Sequence, residues 1–266
     1  MKRGQLEQWV AQAVRHFWTT REGQQSKQGQ ASGLRDAGSR GAVTGGAHID
    51  GFIRLVARIV ADAGLPEASV HHQIRNSTYL PGFYRPTKSW DLLLVDDGHL
   101  LACIEFKSQV GSFGNNFNNR TEEAIGSATD LWTAYREGAF EGSPRPWLGY
   151  FFLLEDSERS NRPVVVKEPH FRVFPEFQDA SYARRYELLC RKLVRERMYD
   201  GTCFILSSRE GGAQGSYREP DSELGFGAFA MSLRAHVIAY AEAKADAGRS
   251  KEPDDAGPTA GELADE

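Results

Sequence analysis

Two apolar runs, Leu92–Val95 and Leu101–Ile104, lie on either side of Asp96-Asp97-Gly98, and charged residues bracket them: Asp91 before, Glu105 and Lys107 after. The pattern reads as a β-hairpin buried in a sheet. Charges at the ends of buried strands are costly unless something satisfies them, and two neighbouring carboxylates repel unless a cation lies between them. Paired hard oxygens with access to water suit Mg2+. A lysine beside such a metal can orient or activate a water, which hydrolysis of a phosphodiester requires. Glu105 and Lys107 are two apart and so share a strand face. Read as a three-residue loop with Gly98 left-handed, Asp96-Asp97-Gly98 pairs Val95 with His99. That sets Asp91 opposite Cys103, diagonal to Glu105 and on its face. A two-residue loop would send the two acids to opposite faces. The competing reading is a solvated edge-strand ion pair, because an acid followed by E-x-K is a short and common pattern.

The 266 residues carry a net charge of −4. From Asp246 to Glu266 acids far outnumber basic residues among Gly, Pro and Ala, which reads as a disordered acidic tail and leaves the remainder mildly basic. Residues 1–245 are expected to form a single domain. Within it the Gly-, Gln- and Ser-rich stretch 22–46 reads as a flexible connection, or alternatively as a basic arm that orders on DNA. Cys103, Cys190 and Cys203 sit in apolar runs without paired spacing and read as reduced core residues. No apolar stretch approaches membrane-spanning length, and Met1-Lys2-Arg3-Gly4-Gln5 is not followed by a signal-type core, so a soluble, cytoplasmic protein is expected.

Apolar periodicity places helices over Leu6–Phe17, from about Ile49 to Gly64, from about Arg120 to Glu137, over Tyr182–Arg197 and over Ser222–Lys244. Strands are expected near Val70–Arg75, at the hairpin, over Trp147–Leu154 (buried and central) and over Thr202–Ser207. Arg209–Arg218 reads as a Gly-rich loop without a phosphate-loop pattern, so ATP use is not expected. The fold class is α/β, a mixed central sheet flanked by helices.

The sequence around the hairpin is more specific than the hairpin itself. Pro81-Gly82-Phe83-Tyr84-Arg85-Pro86-Thr87-Lys88-Ser89-Trp90-Asp91 resembles the XhoI-type restriction endonucleases. So do Glu105-Phe106-Lys107-Ser108-Gln109-Val110-Gly111 and the following Ser112–Gly126 with its Asn-rich run. The similarity extends through Gly45–Phe52 and Pro169–Pro175 and covers most of the chain to about Ala241. Trp90 stands where the superfamily motif usually has Pro, and Phe106 fills the variable position; neither change removes a catalytic group. The resemblance implies a PD-(D/E)XK nuclease core and a Mg2+-dependent type II enzyme that cuts the palindrome CTCGAG after its first C, leaving 5'-phosphates. It implies Asp91, Glu105 and the Phe106 backbone carbonyl as metal ligands and Lys107 as the residue that handles the water. It also implies a homodimer acting on double-stranded DNA, with a methyltransferase protecting host DNA. A repair or junction nuclease on the same core, or a DNA-binding module with a structural acid cluster, are the alternatives.

Further candidates follow. Asp50, near a helix start, is a candidate to be an outer metal ligand or to hold a metal-bound water, although an acid is favoured there by the helix dipole alone. The same dipole argument applies more strongly to Glu122 and Glu123, and His48 and His170 read first as structural residues. Asn115, Asn116, Asn118 and Asn119, taken as a loop with Arg120, are expected to contact bases or phosphates. Arg85 and Lys88 are expected, with Arg120, to contact phosphates.

Overall fold

The structure, a computed structural model, describes residues 3–32, 47–72 and 77–249. Strands β1 (Val70–His71), β4 (Leu92–Asp96), β5 (His99–Gln109), β6 (Trp147–Glu155) and β7 (Gly201–Ser207) form one sheet in the order β1-β4-β5-β6-β7. The first three are antiparallel neighbours and the last three parallel. Strands β2 (Tyr79–Pro81) and β3 (Thr87–Ser89) make a separate two-stranded ribbon. The helices are α1 (Arg3–Ser32), α2 (Asp50–Asp62), α3 (Phe113–Arg136), α4 (Glu158–Asn161), α5 (Tyr182–Arg195), α6 (Arg209–Ala213) and α7 (Phe226–Arg249).

The alternation of side chains along the strands divides the core in two. Leu92, Leu94, Ile104, Phe106 and Phe151 face α1, α2 and α7, whereas Leu93, Cys103, Tyr150 and Phe152 face α3 and α5. This is the expected mixed sheet between helical layers. Every residue of β6 and β7 is buried, as continuous apolar runs in a parallel pair require. The three cysteines are buried and free. Gly149 and Gly201 sit side by side in the ladder, and a Cβ on either would strike the Trp147 ring, at 2.3 and 2.6 Å.

Several boundaries differ from the sequence reading. The hairpin turn has two residues, not three: Asp96 pairs with His99, and Asp97 and Gly98 have φ of 48° and 78°. Positive φ at both central residues marks the primed turn that suits strand twist. A register shift between Leu94 and Val95 then makes Leu101 the extra residue of a β-bulge, so that Leu93 pairs with Cys103 and Leu92 with Ile104. The bulge reverses the parity change that a two-residue turn would cause. Helix α3 begins at Phe113, so the Asn run is helical and not a loop. Phe113 stacks on Tyr182 and Phe117 sits edge-on to Tyr186, and this packing overrides the poor helix propensity of Asn and Gly. Part of the supposed loop Arg209–Arg218 is helix α6, capped by the Ser208 hydroxyl, which accepts from Gly211 N at 3.1 Å. Helix α1 runs on to Ser32, into the stretch read as a flexible connection, and α7 runs to Arg249, past the expected start of the tail. The remainder of both stretches, 33–46 and 250–266, lies outside the described residues, as do 73–76 of the strand expected near Val70–Arg75.

Candidate active site

With Leu92 paired to Ile104, Asp91 lies one step beyond the ladder, across from Glu105, on the face that looks toward α3 and α5. Lys107 follows two residues on along β5 and shares that face. Asp91 therefore stands opposite Glu105 and not opposite Cys103. Beyond the last β4–β5 pair, Asp91 Oδ2 accepts from the Phe106 N–H at 2.7 Å. In a strand the N–H and C=O of one residue point to the same edge, so the Phe106 carbonyl also faces this corner.

Glu105 is only 7% exposed and is the centre of the cluster. Its Oε1 accepts from Lys107 Nζ and its Oε2 from Lys88 Nζ at 2.8 Å. Lys107 Nζ also lies 3.9 Å from Asp91 Oδ2. Lys88 lines the cleft but turns onto Glu105: its side chain is 11% exposed and lies 4.1 Å from the centre of the Trp90 ring. Trp90, where a proline was usual, so supplies a face for a cation.

Electrostatics separate the two carboxylates. Burial and then repulsion by Glu105 push Asp91 up to about 6, against the pull of Lys107, the Phe106 N–H and Lys88. For Glu105 burial also opposes ionisation, but Lys107 and Lys88 outweigh it and hold the group below the usual carboxylate range. Burial pulls Lys107 down, yet Glu105 and Asp91 overcome that and hold it above the ordinary lysine value, so the ammonium stays charged. One carboxyl thus binds a proton more tightly than it should, beside a second that is ionised. That corner favours added positive charge. The oxygens able to hold a hard cation there are those of Asp91, Glu105 and the Phe106 carbonyl.

The cluster opens into a cleft of about 360 Å3, lined beyond the cluster by Arg85, Arg120, Glu122 and Glu123. Arg120 Nη1 pairs with Glu123 at 2.5 Å, and Glu122 and Glu123 are otherwise exposed on α3. Asn115, Asn118 and Asn119 are exposed on the first turns of α3, whereas Asn116 is half-buried and donates to the Ser112 carbonyl at 2.8 Å. Arg85 is held by Asp130, whose Oδ2 accepts from Arg85 Nε at 2.6 Å.

Asp50 opens α2, which packs on the opposite face of the sheet. Among the described residues no three His, Cys, Asp or Glu side chains group closely enough to hold a metal. His48 is a buried structural residue: its ring sits edge-on to Phe17, and burial, then Arg21 and His16, lower it to about 4. His170 is exposed, away from these residues' cleft lining. Sequence reasoning missed Asp130. Its signal was an acid at helical spacing with Ser127, Leu131 and Ala134 on the buried stripe of α3. An acid there needs partners, and it accepts from Phe83 N and Tyr84 N as well as from Arg85.

A carboxylate pair and a charged lysine on a central strand, open to a cleft that Arg85 and Arg120 also line, describe a nuclease-like centre. The family model for the restriction endonuclease XhoI matches residues 27–219. The chain is 52% identical over 220 residues to the type II restriction enzyme BstVI of Geobacillus stearothermophilus, covering 80% of this chain and 96% of that protein. It is 49% identical over 182 residues to the type II restriction enzyme XhoI of Xanthomonas vasicola, covering 68% of this chain and 72% of that one. With the type II restriction enzyme AbrI of Azospirillum brasilense it shares 53% over 167 residues, 62% of this chain and 74% of the relative. No solved structure matches the chain. The chain belongs to the XhoI restriction endonuclease family. It is a type II enzyme, a site-specific deoxyribonuclease acting on double-stranded DNA.

Proposed function

We propose that this enzyme cuts C^TCGAG on both strands by Mg2+-dependent hydrolysis, leaving 5'-phosphates. The observation that carries the chemistry is the corner at the end of β5, where Asp91, Glu105 and the Phe106 carbonyl converge beside the Lys107 ammonium. Mg2+ bound there by those oxygens would supply a Lewis acid that makes water a better nucleophile and neutralises charge building on the phosphate. The side chains divide the remaining work. Lys107, beside both carboxylates, orients or activates the attacking water. Lys88 neutralises Glu105 from the other side and keeps it ionised in a buried position. Arg85 and Arg120 at the rim meet the DNA backbone, and the exposed asparagines of α3 face the base edges, where amides suit adenine and guanidinium groups suit guanine.

The site CTCGAG rests on the likeness to XhoI-type enzymes, not on any residue code. A palindrome read by equal contacts in each half calls for a two-fold homodimer. The reading further places the enzyme in the cytoplasm beside a methyltransferase that protects host DNA; no helix among the described residues is long and apolar enough to cross a membrane. Sequencing the ends of a digested random-sequence library tests the assignment. Fragments should carry 5'-TCGA overhangs, and the enzyme should sediment as a dimer. Other overhangs would refute the site, a species monomeric both free and on its DNA would refute the dimer, and preferential cutting of branched DNA would point to a repair enzyme.

A further inference from the structure

The ribbon β2–β3 carries Lys88 at its base, paired with Leu80 in the ladder, and the turn Gly82–Pro86 at its tip. Both ends are anchored to the cleft. At the base Lys88 Nζ holds Glu105 at 2.8 Å. At the tip the turn is wrapped around one carboxylate: Asp130, 3% exposed, accepts from Phe83 N at 2.8 Å, Tyr84 N at 2.9 Å and Arg85 Nε at 2.6 Å. The fit is close enough that a Cβ on Gly82 would meet Asp130 Oδ2 at 2.8 Å and the Arg85 carbonyl at 2.7 Å. On this fixed backbone Phe83 and Tyr84 stand out at 50% and 68% exposure, their rings edge-to-face with centroids 4.9 Å apart.

Two large rings held in water on a pinned turn gain nothing for the fold, and preorganisation of this kind favours a binding element. What lies beside them identifies the occupant. Arg85, from the same turn, lines the cleft with Arg120, beside Glu122 and Glu123, and the two guanidinium groups suit the backbone of DNA. Aromatic rings next to a nucleic-acid backbone stack on bases or wedge between base steps. We propose that Phe83 and Tyr84 stack against bases of the substrate duplex next to the scissile phosphate and unstack that step, with Asp130 as the positioning residue that aims them. This rests on the reading of the cleft as the DNA-cutting site.

The test uses the full-length protein and a duplex that the wild type cuts, with 2-aminopurine in and beside the site, bound in Ca2+ so that cutting is not needed. Wild-type binding should raise the fluorescence. Phe83→Ala and Tyr84→Ala should each weaken binding by about ten-fold, and together abolish the rise. Tyr84→Phe, which keeps the ring, should retain both, and Asp130→Asn, which keeps both rings but loosens the turn that aims them, should lower the rise. Both rings are exposed, so melting temperatures should hold; if the double variant melts early, Tyr84→Ser alone is read instead. A double variant that binds, unstacks and cuts like the wild type overturns the proposal. So does one whose only defect is dissociation of a dimer, which would make the rings a protein interface. A wild-type rise in fluorescence alongside a Lys107→Ala variant that cuts at the wild-type rate would sink the reading of the cleft as the cutting site and leave the stacking role standing.

Discussion

Asp91→Asn should abolish DNA cutting while making the metal-free protein more stable. The carboxyl sits at about 6 because burial and Glu105 disfavour its charge. Its folded-state value lies above the unfolded one, so ionising it costs stability at pH above about 6, and the cost vanishes below the ordinary carboxylate range. The side chain is 40% exposed and water screens much of the effect, which leaves about 1 kcal/mol, or roughly 2–4 °C in melting temperature. In EDTA at pH 8, Asp91→Asn should melt above the wild type by that margin, and the two should converge near pH 4. Addition of Mg2+ should reverse the order, because only the wild type keeps the ligand charge. Cutting should fall on the order of a thousand-fold or more. Equal melting of the two proteins in EDTA at pH 8 would show that the acid pair is not a strained, cation-seeking site.

Glu105→Ala should be the most damaging single change in the cluster, for fold as well as activity. The structure makes Glu105 the buried partner of both Lys88 and Lys107. Deleting it leaves Lys88 without its carboxylate and Lys107 with only Asp91, 3.9 Å away, at a cost of about 3 kcal/mol. Glu105→Gln keeps the shape and one acceptor, so it should lose less stability but as much activity. Urea denaturation of the two variants beside their cutting rates separates the effects; an alanine variant as stable as the wild type would contradict the assigned hub.

The layers of the fold were legible because they are written in local periodicity. Leu6, Val10 and Val14 recur at helical spacing, and Trp147–Leu154 is too short and too apolar for anything but a buried strand. The face shared by Asp91, Glu105 and Lys107 was legible too, but through a wrong intermediate. The turn is one residue shorter than expected and a bulge at Leu101 makes up the difference, which strand patterning does not announce. Conformation was misread where tertiary contact overrides propensity: Phe113 and Phe117 commit the asparagine run to α3 by packing on Tyr182 and Tyr186 of a distant helix. The two contacts that organise the site, Lys88 with Glu105 and Asp130 with the Gly82–Pro86 turn, join elements far apart in the chain and left no spacing to read. Lys88 was therefore read for phosphates and not for Glu105.

The most direct measurement of the central claim is a plasmid digest with wild-type enzyme and Lys107→Ala, each in Mg2+ and in EDTA. The wild type in Mg2+ should give discrete fragments, and the other three reactions should leave the DNA intact. Cutting in EDTA, or cutting by Lys107→Ala at the wild-type rate, would contradict the metal-and-lysine site at the end of β5.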